Sequence, residues 1–537
     1  MQRPDTVPNA LERFERLMPT TTAILVALTA WLFLQLDPLG LEQASNAASR
    51  RVAMRLMSAF YPVGNEQVSV VLIDDDYLRT TDGSWPMTYL TQGYLLQRVF
   101  DYQPRAVFVD ILYRHVHASM PTSKGPTGPD PPTDLVEIVR RPPLAPVIFA
   151  DLPPANDATT ARDSGSDREC YAAEHATIVS DTATASALER IVERARTAQW
   201  RVTQGYVGWQ ECGDRYPLLI GRSRAHPTPA FAVYAEACTA IPTPECATTL
   251  EHLERQLDIP ISVRWGALPS PLHFEGYHPG ECQEPAQPTA GRLATAVQRT
   301  RLFLEQFALS FAKVAETAGN ERLRLPCPSI DTIRAGELMR GHPDRVRQFV
   351  KGRYVFVGVH LDGVQDQIAS PVNGLVPGAT FNAMALDNLL RLHEGYLRQW
   401  SPRVTRAAEA VLLILVVAIV VGYMHQRKGW FDTRAMRVFY LLAVGAVSAI
   451  TFALGSPKIA VALLLLAVFA VVLPASRSAA LMFACVVVVG FLLELALMVA
   501  ANTAPGNWIG MLLAAAAGAE LGKRCADEAE IMKGTTQ

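Results

Sequence analysis

Residues 350–390, VKGRYVFVGVHLDGVQDQIASPVNGLVPGATFNAMALDNLL, constrain the fold more than any other stretch of the chain. Tyr354 to Val359 is a continuous apolar, β-branched run, which suits a strand buried on both faces of a parallel sheet. A polar loop carrying Asp362, Asp366 and Ser370 follows. Pro377 and Gly378 then turn the chain into Thr380 to Leu390, whose apolar period sets Phe381, Met384, Ala385 and Leu389 on one helical face. Because parallel strands need long crossovers, a strand, an acidic loop and a helix in this order predict an α/β domain.

The same grammar recurs upstream. Val68 to Asp76 (VSVVLIDDD) reads as a strand ending in carboxylates, Thr91 to Phe100 as a helix, and Ala106 to Asp110 (AVFVD) and Val147 to Ala150 as further strands. Gln204 to Ile220 and Ile261 to Gly266 have strand character, and Leu293 to Thr317 has the period of a long amphipathic helix. Leu41 to Phe60 reads as an amphipathic helix with Arg50, Arg51 and Arg55 turned to solvent or headgroups. Beyond Leu390 a helical segment is expected to run through Trp400.

This ordered set of blocks resembles the CHASE2 domain, an extracytoplasmic sensor module of bacterial membrane receptors. The resemblance also draws on Trp85-Pro86, on Arg215-Tyr216-Pro217-Leu218-Leu219 and on Ala230-Phe231-Ala232, and covers roughly Asn65 to Leu390 in separated blocks. Two positions depart from the family pattern: Met87-Thr88-Tyr89 replaces an Arg soon after Trp-Pro, and Asn382-Ala383 replaces the His-Ala of the last helix. The resemblance implies an α/β periplasmic sensor domain with a mostly parallel sheet. The ligand's identity does not transfer across those departures.

Half of the 537 residues are hydrophobic, so a membrane-embedded part accompanies the soluble one. A formal net charge of −2 gives no basic surface for nucleic acid. Residues 1–17 are expected in the cytoplasm and 18–36 as an uncleaved anchor, since Arg3, Arg13 and Arg16 precede the apolar core and no good cleavage site follows it. A periplasmic domain then spans 37–400, with its core at 65–390 and disulfide-stapled insertions at about 153–290. An α-helical transmembrane bundle is expected over 401–521, with spans at 407–424, 438–454, 459–473, 479–500 and 508–521, followed by a cytoplasmic tail, 522–537. Arg427, Lys428, Arg434 and Arg437, then Arg477, then Lys523 and Arg524 fall in alternate connections, which puts both termini inside a bacterial inner membrane. Three C-terminal spans instead of five result if the hairpin around Gly455 to Lys458 does not cross.

Cysteine usage fits an oxidising compartment. Cys170, Cys212, Cys238, Cys246, Cys282 and Cys327 fall in the periplasmic region, whereas Cys485 lies in a span and Cys525 in the tail. Sequential pairing, Cys170 with Cys212, Cys238 with Cys246 and Cys282 with Cys327, closes the shortest loops, although sequence does not fix connectivity. Zinc is the competing reading, but no C-x-x-C spacing occurs.

Asp74, Asp75 and Asp76, Asp110, and Asp362 with Asp366 all closely follow apolar strands. In open parallel sheets ligands bind beyond the carboxyl ends of the strands, so these side chains could gather at one mouth around a cation or a cationic or hydroxylated ligand. Each could equally cap a helix or close a turn. His115 and His117 alternate with metal-compatible spacing but lack a third ligand. Glu494, deep in an expected span, is read as an intramembrane contact.

No hydrolase, metalloprotease, P-loop, kinase or cyclase motif is present. The expected protein is therefore no enzyme and needs no cofactor or metal. It is a membrane-anchored CHASE2-like sensor or adaptor that takes a small periplasmic ligand and signals through its bundle to a separate membrane protein. Self-association stays open. The alternative is a gated subunit of a transport or channel complex.

Overall fold

The computed structural model describes residues 25–32, 41–62, 67–113, 121–122, 125–126, 131–153, 186–207, 214–220, 226–240, 242–254, 260–268, 292–311, 325–362, 366–393, 396–398 and 506–510. Two compact units emerge, Met1–Ala53 with Gln399–Gln537, and Met54–Arg398. In the first, the Trp508 indole N–H donates to the Ser49 carbonyl at 3.3 Å and the Ile509 amide to the Ser49 hydroxyl at 3.0 Å.

Six parallel strands form the centre of the second unit. They are β1 (Val68–Asp74), β2 (Ala106–Val109), β3 (Val147–Asp151), β4 (Val202–Tyr206), β5 (Asp331–Arg334) and β6 (Tyr354–His360), in the spatial order β5-β1-β6-β2-β3-β4. Every residue of β1 and β2 is buried, as expected of interior parallel strands covered on both faces. Alternate residues feed two separate layers. Val71 and Ile73 of β1, Val107 and Val109 of β2 and Val355, Val357 and Val359 of β6 meet α2 (Asp75–Thr80), α3 (Tyr89–Asp101), α4 (Ala187–Thr197), α8 (Ala335–Arg340) and α9 (Pro343–Val350) on one side. On the other, Val68, Val70 and Leu72, Ala106 and Phe108, and Phe356 pack beneath α5 (Pro229–Ala240), α6 (Pro244–Glu254) and α10 (Gly378–Leu392).

Local signals set the helix starts. Thr88 accepts from the Thr91 amide at 3.2 Å to open α3, while Asp82 receives the Thr88 amide and the Thr91 hydroxyl. Ser186 and Glu189 form a reciprocal capping box on α4. Ser186→Ala is expected to cost about 1 kcal/mol, read as a shifted urea midpoint at unchanged slope.

Several expectations need correction. The region 204–220 is not one strand: β4 ends at Tyr206, and Arg215–Tyr216 pairs antiparallel with Ile261–Ser262 in a small separate sheet. The loop after β6 contains an antiparallel hairpin, β7 (Gln367–Ser370) with β8 (Gly374–Pro377). The last helix does not run on to Trp400. It stops at Leu392, His393 takes φ 46°, and Leu397–Arg398 pairs as a strand with Ile261–Ser262. Within α1 (Leu41–Ser58), Arg50 and Arg55 are buried rather than solvated, and Arg55 donates to the carbonyls of Pro371 and Leu309 at 2.7 and 2.6 Å. α7 (Arg292–Phe311) occupies the expected long helix as far as Phe311.

Cys238 and Cys246 form a disulfide joining α5 to α6, with Cα atoms 5.6 Å apart. Cys327 is also disulfide-bonded, to a partner outside the described residues. Cys170, Cys212, Cys282, Cys485, Cys525, His115, His117 and Glu494 lie outside them as well. In the denatured, unreduced chain Cys238 and Cys246 are expected to resist alkylation and to label only after reductant, a result read by peptide mass. Among the described residues no helix is long and apolar enough to cross a membrane, and the expected spans at 407–424, 438–454, 459–473 and 479–500 lie outside those residues.

Candidate functional site

Parallel register brings the carboxyl ends of β1, β6 and β2 side by side. Asp74 pairs with His360, Val357 with Val109, and the Asp110 amide donates to the Val357 carbonyl at 2.7 Å. The connection after β2 stays in one layer, where Ile111 and Tyr113 are buried, whereas the connection after β6, past Leu361, leads to the hairpin and α10 in the other. Adjacent strands whose exits diverge leave a crevice between them, the place where ligands enter open α/β sheets.

Asp110 and Asp366 share that crevice. As the residue after Val109, Asp110 alternates to the α10 side, where the Asn382 amide N–H donates to its Oδ2 at 3.0 Å. Asn382 is held in turn by the Tyr216 hydroxyl, which donates to its Oδ1 at 2.9 Å while accepting from the Ala230 amide at 2.8 Å. Asp366 is fixed by backbone, since its carbonyl accepts from the Gly378 amide at 3.1 Å. A Cβ on Gly378 would stand only 2.5 Å from Asp366 Oδ1, so glycine here lets the carboxylate lie over the first turn of α10. Gly358 of β6 plays a similar part below, where an added Cβ would collide with Ala379.

Burial, the nearby Asp366 and the opposing Asn382 bond act together on Asp110, and the net result is a carboxyl well above its ordinary range. Burial also raises Asp366, to about 6, even though a helix N-terminus favours the anion. Among the described residues neither carboxyl has a lysine or arginine partner.

The other four expected residues lie at the same sheet edge with different partners. Asp74 is a helix cap: its Oδ1 accepts from the Tyr77 amide at 2.9 Å, and its Oδ2 lies 3.8 Å from the Arg334 guanidinium. Asp76 pairs with Arg79 and stands 4.0 Å from Arg334. Asp75 accepts from the Asp362 amide at 2.9 Å, and Asp362 is exposed. The edge thus divides into a charge-compensated half around Arg334 and an uncompensated pair, Asp110 with Asp366. Asn382, Tyr216, Gly358 and Gly378 complete that pair, although the sequence reading assigned them no site role. Asn382 had one signal, its departure from the His of the family pattern. Among the described residues no group of three or more His, Cys, Asp or Glu side chains is arranged to hold a metal ion.

The six strands thus form an open, all-parallel α/β sheet with an acidic crevice at its switch point. A model of the CHASE2 domain matches residues 21–423, and the chain belongs to that family. It therefore carries an extracytoplasmic sensor domain of CHASE2 type. Comparison with curated proteins and with solved structures found no match.

Proposed function

We propose that this protein is a membrane-anchored sensor or adaptor in which the crevice between β6 and β2 takes the signal, α10 conveys it, and a transmembrane bundle hands it to a separate membrane protein. The observation that carries the reading is the span of α10. Its first turns line the crevice through Gly378 and Asn382, and its last turns hold both places where the chain enters and leaves the domain. At the entry, the Tyr61 hydroxyl donates to Asp387 Oδ2 at 2.6 Å, and Arg391 donates to Asp387 Oδ1 at 2.9 Å and to the Pro62 carbonyl at 3.4 Å. Burial and the facing Asp387 push the Tyr61 hydroxyl well up, so it remains a donor. At the exit, Tyr396, four residues past the end of the helix, is buried in the same apolar cluster as Leu389 of its last turns. Gly378 to Leu389 is buried without a break, so α10 moves as a body or not at all.

The test uses the full chain in nanodiscs and follows hydrogen exchange. Asn382→Leu, which severs the crevice from the helix, is expected to change exchange at 61–62 and 396–398 as well as locally. A change confined to 378–386 rejects transmission by α10. Recovery of a membrane partner in mild detergent is expected to fall in Glu494→Leu and to persist in Glu494→Gln, which keeps a neutral hydrogen bond. Ion passage by the purified protein alone in liposomes would overturn the adaptor reading in favour of a transport subunit.

A further inference from the structure

We infer that the crevice responds to protons, with Asp110 and Asp366 holding one proton between them and latching the start of α10 to the end of β2. This inference rests on the sensor reading above and specifies its signal. Two carboxyls converge where the chain's exits from β2 and β6 diverge, and Asn382 is the side chain that donates to Asp110. No described lysine or arginine neutralises either one, in contrast to Asp74 and Asp76 at the end of β1, which face Arg334. Both carboxyls are half-buried against the first turns of α10, Asp366 at Gly378 and Asp110 at Asn382 one turn later, and with no described counter-charge such a pair favours retaining a proton or moving apart.

The neighbouring elements leave this arrangement intact. Among the described residues the other titratable groups at this edge are Asp74, Asp75, Asp76 and Arg334 beside β1 and β5, His360 and Asp362 at the end of β6, Asp151 at the end of β3 and Tyr206 at the end of β4. Tyr216 sits behind Asn382 and interacts through it. His360 is the one imidazole among them, and it requires its own control.

The direction follows from linkage. Asp366 is raised to about 6 and Asp110 is raised as well, so the folded pair binds protons that the unfolded chain has already released. The stability this gives is fully present below the unfolded value near 4. It is lost as pH rises through about 6, where Asp366 ionises. Ionisation of both groups places repulsion between the β7–β8 hairpin with its attached α10 and the end of β2. The N-terminus of α10 is then released.

The experiment is hydrogen exchange of residues 366–386 in the full chain in nanodiscs, at pH 5 and pH 7.5, each corrected for intrinsic rate. Opening of this segment is expected to increase on the order of tenfold at the higher pH in the wild type and in His360→Gln. The increase should be absent in Asp366→Asn and Asp110→Asn, which imitate the protonated forms. A pH-independent wild type, or an unchanged response in both Asn variants, overturns the inference and leaves the sensor reading with some other ligand. Protection restored at pH 7.5 by calcium or magnesium alone also overturns it, in favour of a cation. If 366–386 responds while 61–62 and 396–398 do not, the proton latch stands and transmission by α10 fails.

Discussion

Phe381→Ala is expected to lower the stability of the Met54–Arg398 unit by about 3–5 kcal/mol, the usual cost of emptying a fully buried aromatic site. Phe381 is buried completely on α10, edge-on to Tyr216 at 5.3 Å and stacked on Trp265 at 6.1 Å between ring centres. It joins the helix to the same Tyr216 that orients Asn382, so the cavity loosens both the packing and the crevice. Pulse proteolysis across a urea gradient measures the loss. Phe381→Leu, which keeps most of the volume, should cost well under half as much. Equal loss in both variants would show that ring stacking rather than volume holds α10 in place.

Arg353→Met is expected to cost about 3–5 kcal/mol for a different reason. Arg353 lies just before β6 and makes a buried salt bridge with Asp331, which begins β5; both side chains are almost fully enclosed. These strands are not neighbours, since β1 lies between them. The pair therefore ties the sheet together across the start of β1, and removing the cation leaves Asp331 without that partner. Adding Asp331→Leu should recover much of the loss, because two apolar groups replace two desolvated charges. A double variant as unstable as Arg353→Met would mean that the cost comes from packing of the arginine stem.

The interior of the sheet was legible for a physical reason. Strands buried on both faces must be apolar at nearly every position: AVFV is wholly so, and VSVVLID and YVFVGVH depart only at Ser69 and at the terminal Asp74 and His360. The edge strand β5 was missed because DTIR is mostly polar, with Asp331 met by Arg353 from the approach to β6 and Thr332 by the Ile330 carbonyl two residues back. The two-residue and four-residue pairings, including the β7–β8 hairpin, have too little sequence to show a period. Arg55 was misassigned because an arginine in an amphipathic pattern normally faces water, and nothing local announces that the carbonyls of Pro371 and Leu309 await it. At the crevice, Asp110 and Asp366 were legible as strand-end carboxylates. Their separation from Asp74 and Asp76 depends on where Arg334 falls, and the Asn382 contact to Asp110 joins residues 272 positions apart.

The placement of β6 has a kinetic consequence. It is the last of the six strands along the chain, yet it lies between β1 and β2, the first two. A chain emerging from its amino end therefore presents two open edges, β1 and β2, that cannot pair with each other in the native order. They must wait for about 250 further residues before the strand that joins them arrives, and such long-range closure is slow and leaves unpaired edges exposed to wrong partners. The acidic crevice exists only once that central strand is seated. A chain cut short before His360 thus lacks the crevice, and any response that depends on the crevice reports that the central strand is in place.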